Sequence, residues 1–415
     1  MKQILTERPN LLEPNVYITI CTRIKNCPSP NRLVAAGKDA YCANESTMSK
    51  IVLSQGTASY ERLTKSGCTV EITQKDWINI VKENEKIPFS LETGELIRSF
   101  VIPATNNTLL VIMAHHLVGD GKSIIYFLKD VIDSLSGKKL LYKPLTVLTK
   151  ESFSTTKLPI SARLYTLFCK KKWDNTYFTW KDYYHLHNTY WANTVSEICY
   201  KTLSKTETKR IQEKCKQLGC SVNSYIVACF LQADTSHCTV GIPVSIRKPG
   251  NTSMTNLTSG ISITHQFSSQ KTFAKNAQQI HRKIHKGISK YRQFVLQFLA
   301  ELPPTLVDAV LLYTHHIYDN PAIRRVAHIM GYTKDTKQHL GITNLTVLDI
   351  PTDYGTYKLE DVTFVPPAVS YARNVIGVST INGKMTLTYH HMKNTEHSSK
   401  MLFEQGIENL IKNSQ

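Results

Sequence analysis

The stretch "TLLVIMAHHLVGDGKSIIYFLKDVIDSLSG" (108–137) constrains the fold more than any other part of the chain. An apolar run long enough for a buried strand ends on two adjacent histidines, His115 and His116. Gly119 and Gly121 flank Asp120 and permit the tight backbone by which a strand turns back into a helix. From Lys122 the apolar residues fall at Ile124, Ile125, Phe127, Leu128, Val131, Ile132 and Leu135, a helical stripe stopped by Gly137. The stretch reads as strand, short glycine-bearing loop, helix.

Elements of both kinds interleave along the rest of the chain. "NRLVAAGKDAYC" reads as helix, and "CTVEI" (68–72) and "IRSFVI" (97–102) read as strands. In the second half, Ser204 and Glu207 have the spacing of a capping box, followed by a helical stripe closed by Gly219. Ser221 opens the next helix, "TVGIPVSIR" reads as a strand ending at Arg247, and 277–299 reads as one long helix. That helix has a basic face carrying Arg282, Lys283, Lys286, Lys290 and Arg292. "VIGVSTINGKMTLTY" is a hairpin turning on Asn382-Gly383, a pair suited to a type I′ turn. Residues 150–200, aromatic and basic without a clean period, read as a connection packed by its rings, with a substrate-channel wall or docking surface as the functional alternative. An α/β (α+β) architecture follows, and 415 residues exceed one ordinary core, so two subdomains or one large domain are expected.

The formal charge of +18 favours anionic partners. The basic residues are spread along the chain, densest at Lys170-Lys171-Lys172, and no groove-reading or RNA-binding motif accompanies them, so nucleic acid is not an expected partner. Ten cysteines at irregular spacing offer neither a disulfide framework nor a zinc site, and no metal is expected. "MKQILTERPN" lacks the apolar core of a signal peptide, and no apolar run has the length of a membrane span. A cytoplasmic chain with reduced thiols is expected.

The loop has the parts of a general-base site. A strand end delivers an imidazole to a fixed place, and imidazole accepts and returns protons near neutral pH. Successive strand side chains alternate, so one ring can face a cavity while the other points away. The chain carries its own controls: His315-His316 and His390-His391 are also paired, but neither pair has Asp-Gly at the same distance. A chance H-H-x-x-x-D-G in such a chain is on the order of one in a thousand.

His115-His116-Leu117-Val118-Gly119-Asp120-Gly121 matches the HHxxxDG signature. The chain resembles the superfamily that joins peptide-synthetase condensation domains, alcohol and polyketide-associated acyltransferases, plant BAHD acyltransferases and chloramphenicol acetyltransferase. "IPFSLETGELIRSFVI" is similar to that group's lead-in, "LSKTETKRIQEKCKQLGCSVNSYIVACFLQA" to its helix pair, and "GIPVSIRKP" to its strand ending in arginine. "TNLTVLDIP" and "VIGVSTINGKMTLTYH" resemble its C-terminal strands.

The resemblance implies two chloramphenicol-acetyltransferase-like subdomains, 1–175 with the motif and 176–415, forming a V with a tunnel between them. It implies that His116 is the base, that His115 packs, that Arg247 holds a structural Asp120, and that Gly121 allows close approach to the reacting carbonyl. The donor would be acyl-CoA or a phosphopantetheinyl thioester, with no tightly bound cofactor, and the acceptor a small-molecule hydroxyl or amine. The basic helix face would suit the phosphates of coenzyme A, or stand as a solvated face.

Two features qualify the resemblance. "PTDYGTYKLED" offers Asp353-Tyr354-Gly355 where BAHD enzymes carry DFGWG, and it reads as a loop. No carrier module is visible, so a free-standing enzyme is expected, with an acyl or peptidyl carrier protein as the alternative partner. A carrier-dependent condensation enzyme is the second functional reading, and a non-catalytic binding protein of the same fold the third.

Overall fold

The computed structural model describes residues 2–27, 29–105, 107–153, 159–169, 178–236, 238–329, 339–393 and 400–415. Among the described residues, two six-stranded sheets and a three-stranded one form the framework. The first sheet runs Asp353–Tyr354, Tyr357–Val365, Tyr17–Lys25, Asn107–His115, Ile97–Ile102, Thr69–Ile72. Its central pair is antiparallel and places Tyr17 opposite His115. The second sheet runs Thr258–Thr264, Thr239–Ser245, His339–Val347, Asn374–Ile381, Lys384–Met392, Ser196–Thr202.

Strand Asn107–His115 is buried on both faces from Leu110 onward, which its unbroken apolar run demands. Helix Gly121–Leu135 then lays its stripe on the first core, where Phe127 stacks on Tyr41 of helix Pro30–Ala43 at 5.4 Å. The second core is covered by helices Val222–Ala233, Phe273–Tyr291 and Lys400–Lys412. Ser204 and Glu207 form the capping box before helix Lys205–Leu218, and Gly219 closes it at φ +62°. Asn382 and Gly383, at φ +51° and +72°, turn the hairpin Asn374–Ile381/Lys384–Met392.

Two expectations are corrected. Residues 277–299 form two helices, Phe273–Tyr291 and Phe294–Glu301. The first buries one stripe, Ala277, Ile280 and Ile284, whereas Leu296, Phe298, Leu299 and Ala300 need cover on several faces, and the chain bends to supply it. "PTDYGTYKLED" is a hairpin rather than a loop: Gly355 sits at φ +77°, its N–H donates to Asp353 Oδ1, and Tyr357 and Leu359 alternate inward.

Strand Tyr357–Val365 therefore comes from the second half of the chain yet pairs with Tyr17–Lys25 of the first sheet. The junction expected at residue 175 and the Lys170–Lys172 run lie outside the described residues. Beyond that junction, helix Trp180–Ala192 packs on the first core: Tyr183 Oη donates to Phe89 O at 3.0 Å and Trp191 Nε1 to Pro14 O at 3.3 Å. Among the described residues no single helix is long and apolar enough to cross a membrane.

Candidate active site

The site lies where the first sheet meets the second. His115 ends its strand with its N–H donating to Leu96 O, and His116 donates its N–H to Val16 O at 3.1 Å. The two rings then diverge. His115 is 1% exposed, with its ring 5.9 Å from those of Tyr17 and Phe89. Its Nδ1 accepts from the N–H of Leu117, and burial pushes its pKa down to about 3, so it stays neutral.

The lead-in segment builds this wall. Arg98 pairs with Glu95, donates to the carbonyls of Ile87 and Pro88, and lies 4.1 Å over the Phe89 ring.

His116 is half-buried. Its Nδ1 is buried without a hydrogen-bond partner. Burial lowers the pKa of this ring below 6.5, while the charge of Asp120, the residue's own backbone and Asn256 pull it upward. The ring is therefore neutral near pH 7. Asn256 Nδ2 also donates to the His116 carbonyl at 2.5 Å, and Tyr60 Oη donates to the next carbonyl, Leu117 O, at 2.7 Å.

Asp120 caps helix Gly121–Leu135, its Oδ1 accepting from Ser123 N and Ser123 Oγ, both at 2.9 Å. The second sheet supplies the rest. Arg247 Nη2 donates to Asp120 Oδ1 at 2.9 Å, while Leu257 N and Thr258 Oγ1 donate to Oδ2 at 3.0 and 3.1 Å. Arg247 also donates to Ser123 Oγ and to the carbonyls of Ser253 and Thr255, and its guanidinium lies 5.6 Å from the Tyr126 ring. The Asp120 and Arg247 side chains are 3% and 4% exposed, so this is a buried, multiply hydrogen-bonded ion pair.

A Cβ on Gly121 would stand 2.8 Å from a Leu345 methyl and 3.5 Å from Phe364, so the glycine brings the helix start up to the second sheet and the crossing strand. Gly119, at φ +154°, lies so close to Ser123 that a Cβ would stand 2.5 Å from it.

Of the residues singled out in the sequence, the structure brings together Asp120, Gly121 and Arg247 beneath the His116 loop, and turns His115 away. Ser123, Asn256 and Thr258 escaped sequence reading. Ser123 could have been found, because Asp120-x-x-Ser123 has the N-cap-to-N3 spacing. Asn256 and Thr258 act across 140 and 138 residues, which no local pattern encodes. The basic helix face is exposed, with Lys283 and Arg292 donating to the carbonyls of Thr264 and Ser245. Two clefts of about 350 Å³ lie elsewhere, one beside Lys2, Tyr60 and Arg62, the other beside Lys25, Lys205 and Lys384, and neither is lined by His116.

No family profile and no curated protein matches the chain. Solved structures do. The first condensation domain of the calcium-dependent antibiotic synthetase, in complex with a substrate analogue, superposes with a TM-score of 0.66 at 12% identity, covering 100% of this chain and 96% of that one. This chain has the condensation-domain fold. Polyketide synthase associated protein 5 from Mycobacterium tuberculosis matches at TM-score 0.65 and 12% identity, covering 99% and 96%. The condensation domain from the Monacolin K polyketide synthase MokA matches at TM-score 0.60 and 12% identity, covering 98% and 92%. In a condensation-domain fold assembled from these residues, the loop carrying His116 is clamped from both sheets.

Proposed function

We propose that the chain is an acyltransferase in which His116 acts as general base, moving an acyl group from a thioester to a hydroxyl or amine. One observation carries this reading: a neutral, half-buried imidazole held at the joint of two sheets by the buried Asp120–Arg247 pair. In a passage between the sheets, Nε2 of His116 would take the proton of the acceptor O–H or N–H as that atom attacks the thioester carbonyl. The tetrahedral intermediate collapses with cleavage of the C–S bond. The thiolate recovers the proton, giving ester or amide plus free thiol. Holding both substrates together supplies much of the rate, and the proton transfer adds about 10²- to 10⁴-fold.

Acyl-CoA is the first donor we assign, and the +18 charge suits its phosphates. A second reading, a free-standing enzyme taking its thioester from an acyl or peptidyl carrier protein, is favoured by the likeness to condensation domains of synthetases. Thiol release from acyl-CoA with a panel of alcohols and amines tests the first, and a carrier-bound thioester the second. His116→Gln should lower turnover by about 10²- to 10⁴-fold in either case. Turnover within a factor of a few of the unaltered protein would refute the catalytic assignment and leave a non-catalytic binding protein.

A further inference from the structure

Helix Lys205–Leu218 ends in a two-bond reversal. Gly219, at φ +62°, donates its N–H to Lys216 O at 3.1 Å, and the next residue, Cys220, donates its N–H to Cys215 O at 3.0 Å. In this kind of helix stop the second residue past the helix folds back over one in its last turn, and their side chains meet. Both positions here are cysteines, and their thiols hydrogen-bond to each other. Four residues separate them in the sequence, a spacing with no disulfide or metal signature, so the turn alone supplies the encounter.

The two thiols are unlike. Cys220 is 9% exposed and Cys215 3%, so Cys220 stands at the solvent edge. The Cys215 S–H donates to the Cys220 sulfur, which holds the Cys220 thiol below its ordinary value against the opposing pull of burial. The same bond pushes the Cys215 thiol up, and burial adds to the rise. The helices act in the same sense. Cys220 directly precedes Ser221, the N-cap of helix Val222–Ala233, whose positive end favours a thiolate, whereas Cys215 lies in the last turn of Lys205–Leu218, whose negative end opposes one. Cys229, in the same core, is 0% exposed, burial pushes its thiol up, and its sulfur accepts from Asn413 Nδ2 at 3.9 Å. An attacking thiol at the edge with a second thiol in contact behind it is the arrangement that thiol–disulfide exchange requires.

We propose that Cys215 and Cys220 are a redox modification site, closed to a disulfide by low-molecular-weight disulfides such as oxidised glutathione. The Cys220 thiol gives its proton to water, and the thiolate attacks one sulfur of oxidised glutathione. That S–S bond breaks, and one glutathione leaves as a thiolate and takes up a proton. The Cys215 thiol then loses its proton and attacks the Cys220 sulfur, and the second glutathione leaves and is protonated in turn. Two protein S–H groups are oxidised to one S–S bond while one oxidised glutathione is reduced to two thiols. Excess reduced glutathione runs the exchange backwards. The bond ties the end of one helix to the start of the next on the second core, so the site operates whether or not the chain transfers acyl groups.

Incubating the native protein with oxidised glutathione, quenching with acid and mapping tryptic peptides by mass tests this. The peptides holding Cys215 and Cys220 should emerge joined, both thiols lost together, with no glutathione retained on either and Cys229 unmodified; dithiothreitol should separate them. Cys42, exposed on helix Pro30–Ala43, should keep its glutathione in the same digest. Cys215→Ala removes the second thiol, so a stable glutathione adduct should accumulate on Cys220, whereas Cys220→Ala should leave Cys215 unmodified. No reaction at Cys220, a glutathione that persists there in the unaltered protein, a bond from Cys220 to Cys229 instead, or joining that occurs only in urea would each overturn the proposal. The map of the unaltered protein decides these outcomes by itself, so the test stands even if a variant misfolds.

Discussion

Replacing Arg247 by Met, alone and together with Asp120→Asn, measures how firmly the second sheet holds the motif loop. Methionine keeps much of the volume but removes the donors to Asp120 Oδ1, Ser123 Oγ, Thr255 O and Ser253 O, at 2.9, 2.8, 2.9 and 2.8 Å. The carboxylate left behind is 3% exposed and cannot recruit water. Removing one partner of a buried pair costs about 3–5 kcal/mol. Asp120 keeps the neutral donors Ser123 N, Ser123 Oγ, Leu257 N and Thr258 Oγ1, which places the expected loss near the lower end, about 3 kcal/mol. Asp120→Asn strands the guanidinium among carbonyls and should cost a comparable amount. If the two charges stabilise the loop as a pair, the double variant loses less than the sum of the single ones, with an interaction of about 1–3 kcal/mol. Urea unfolding followed by tryptophan fluorescence, with thiol release measured in parallel, reads both stability and loop geometry. Losses that add to within about 0.5 kcal/mol would refute the pairing.

The acid limb of the pH–kcat/KM profile should lie below 6.5, because a base must be unprotonated and burial holds His116 below that value; since the Asp120 charge pulls the other way, Asp120→Asn should move the limb lower still. A limb above 6.5 would contradict the assignment. Gly119→Ala should destabilise more than Gly121→Ala in the same urea assay. The first adds strain at φ +154° and strikes Ser123 at 2.5 Å, whereas the second meets a Leu345 methyl at 2.8 Å that can turn, for about 1–2 kcal/mol. His390 is held above 6.5 despite its burial by the Glu85 carboxylate at 3.2 Å and the Pro366 carbonyl. Its stabilisation is therefore fully present below pH 6.5 and lost as pH rises through the folded value, so the stability gap between the unaltered protein and His390→Gln should narrow as pH rises. A gap that stays constant with pH would show that the pair is not ionised.

The parts of this molecule that were legible in the sequence are those that local physics encodes. An apolar run into Gly-Asp-Gly and a helical stripe specify strand, turn and helix by themselves, and Asn382-Gly383 specifies its own hairpin. The bend before Phe294 was missed because it answers to where the cores lie, which a helical period does not report. The hairpin at Asp353 was missed for a related reason: its strand is stabilised by pairing with Tyr17–Lys25, more than three hundred residues away in the chain. The candidate site divides along the same line. His116 and Asp120 announce themselves within seven residues, whereas Asn256 and Thr258 have no pattern of their own and matter only because the second sheet brings them against the loop. His390 makes the point from the other side. It has the doublet but not the Asp-Gly, and its ring is committed to an ion pair with Glu85 and to the Pro366 carbonyl, so no nitrogen is left for a substrate proton. The base proposed at His116 differs from His390 in that its ring is not tied up by such an ion pair.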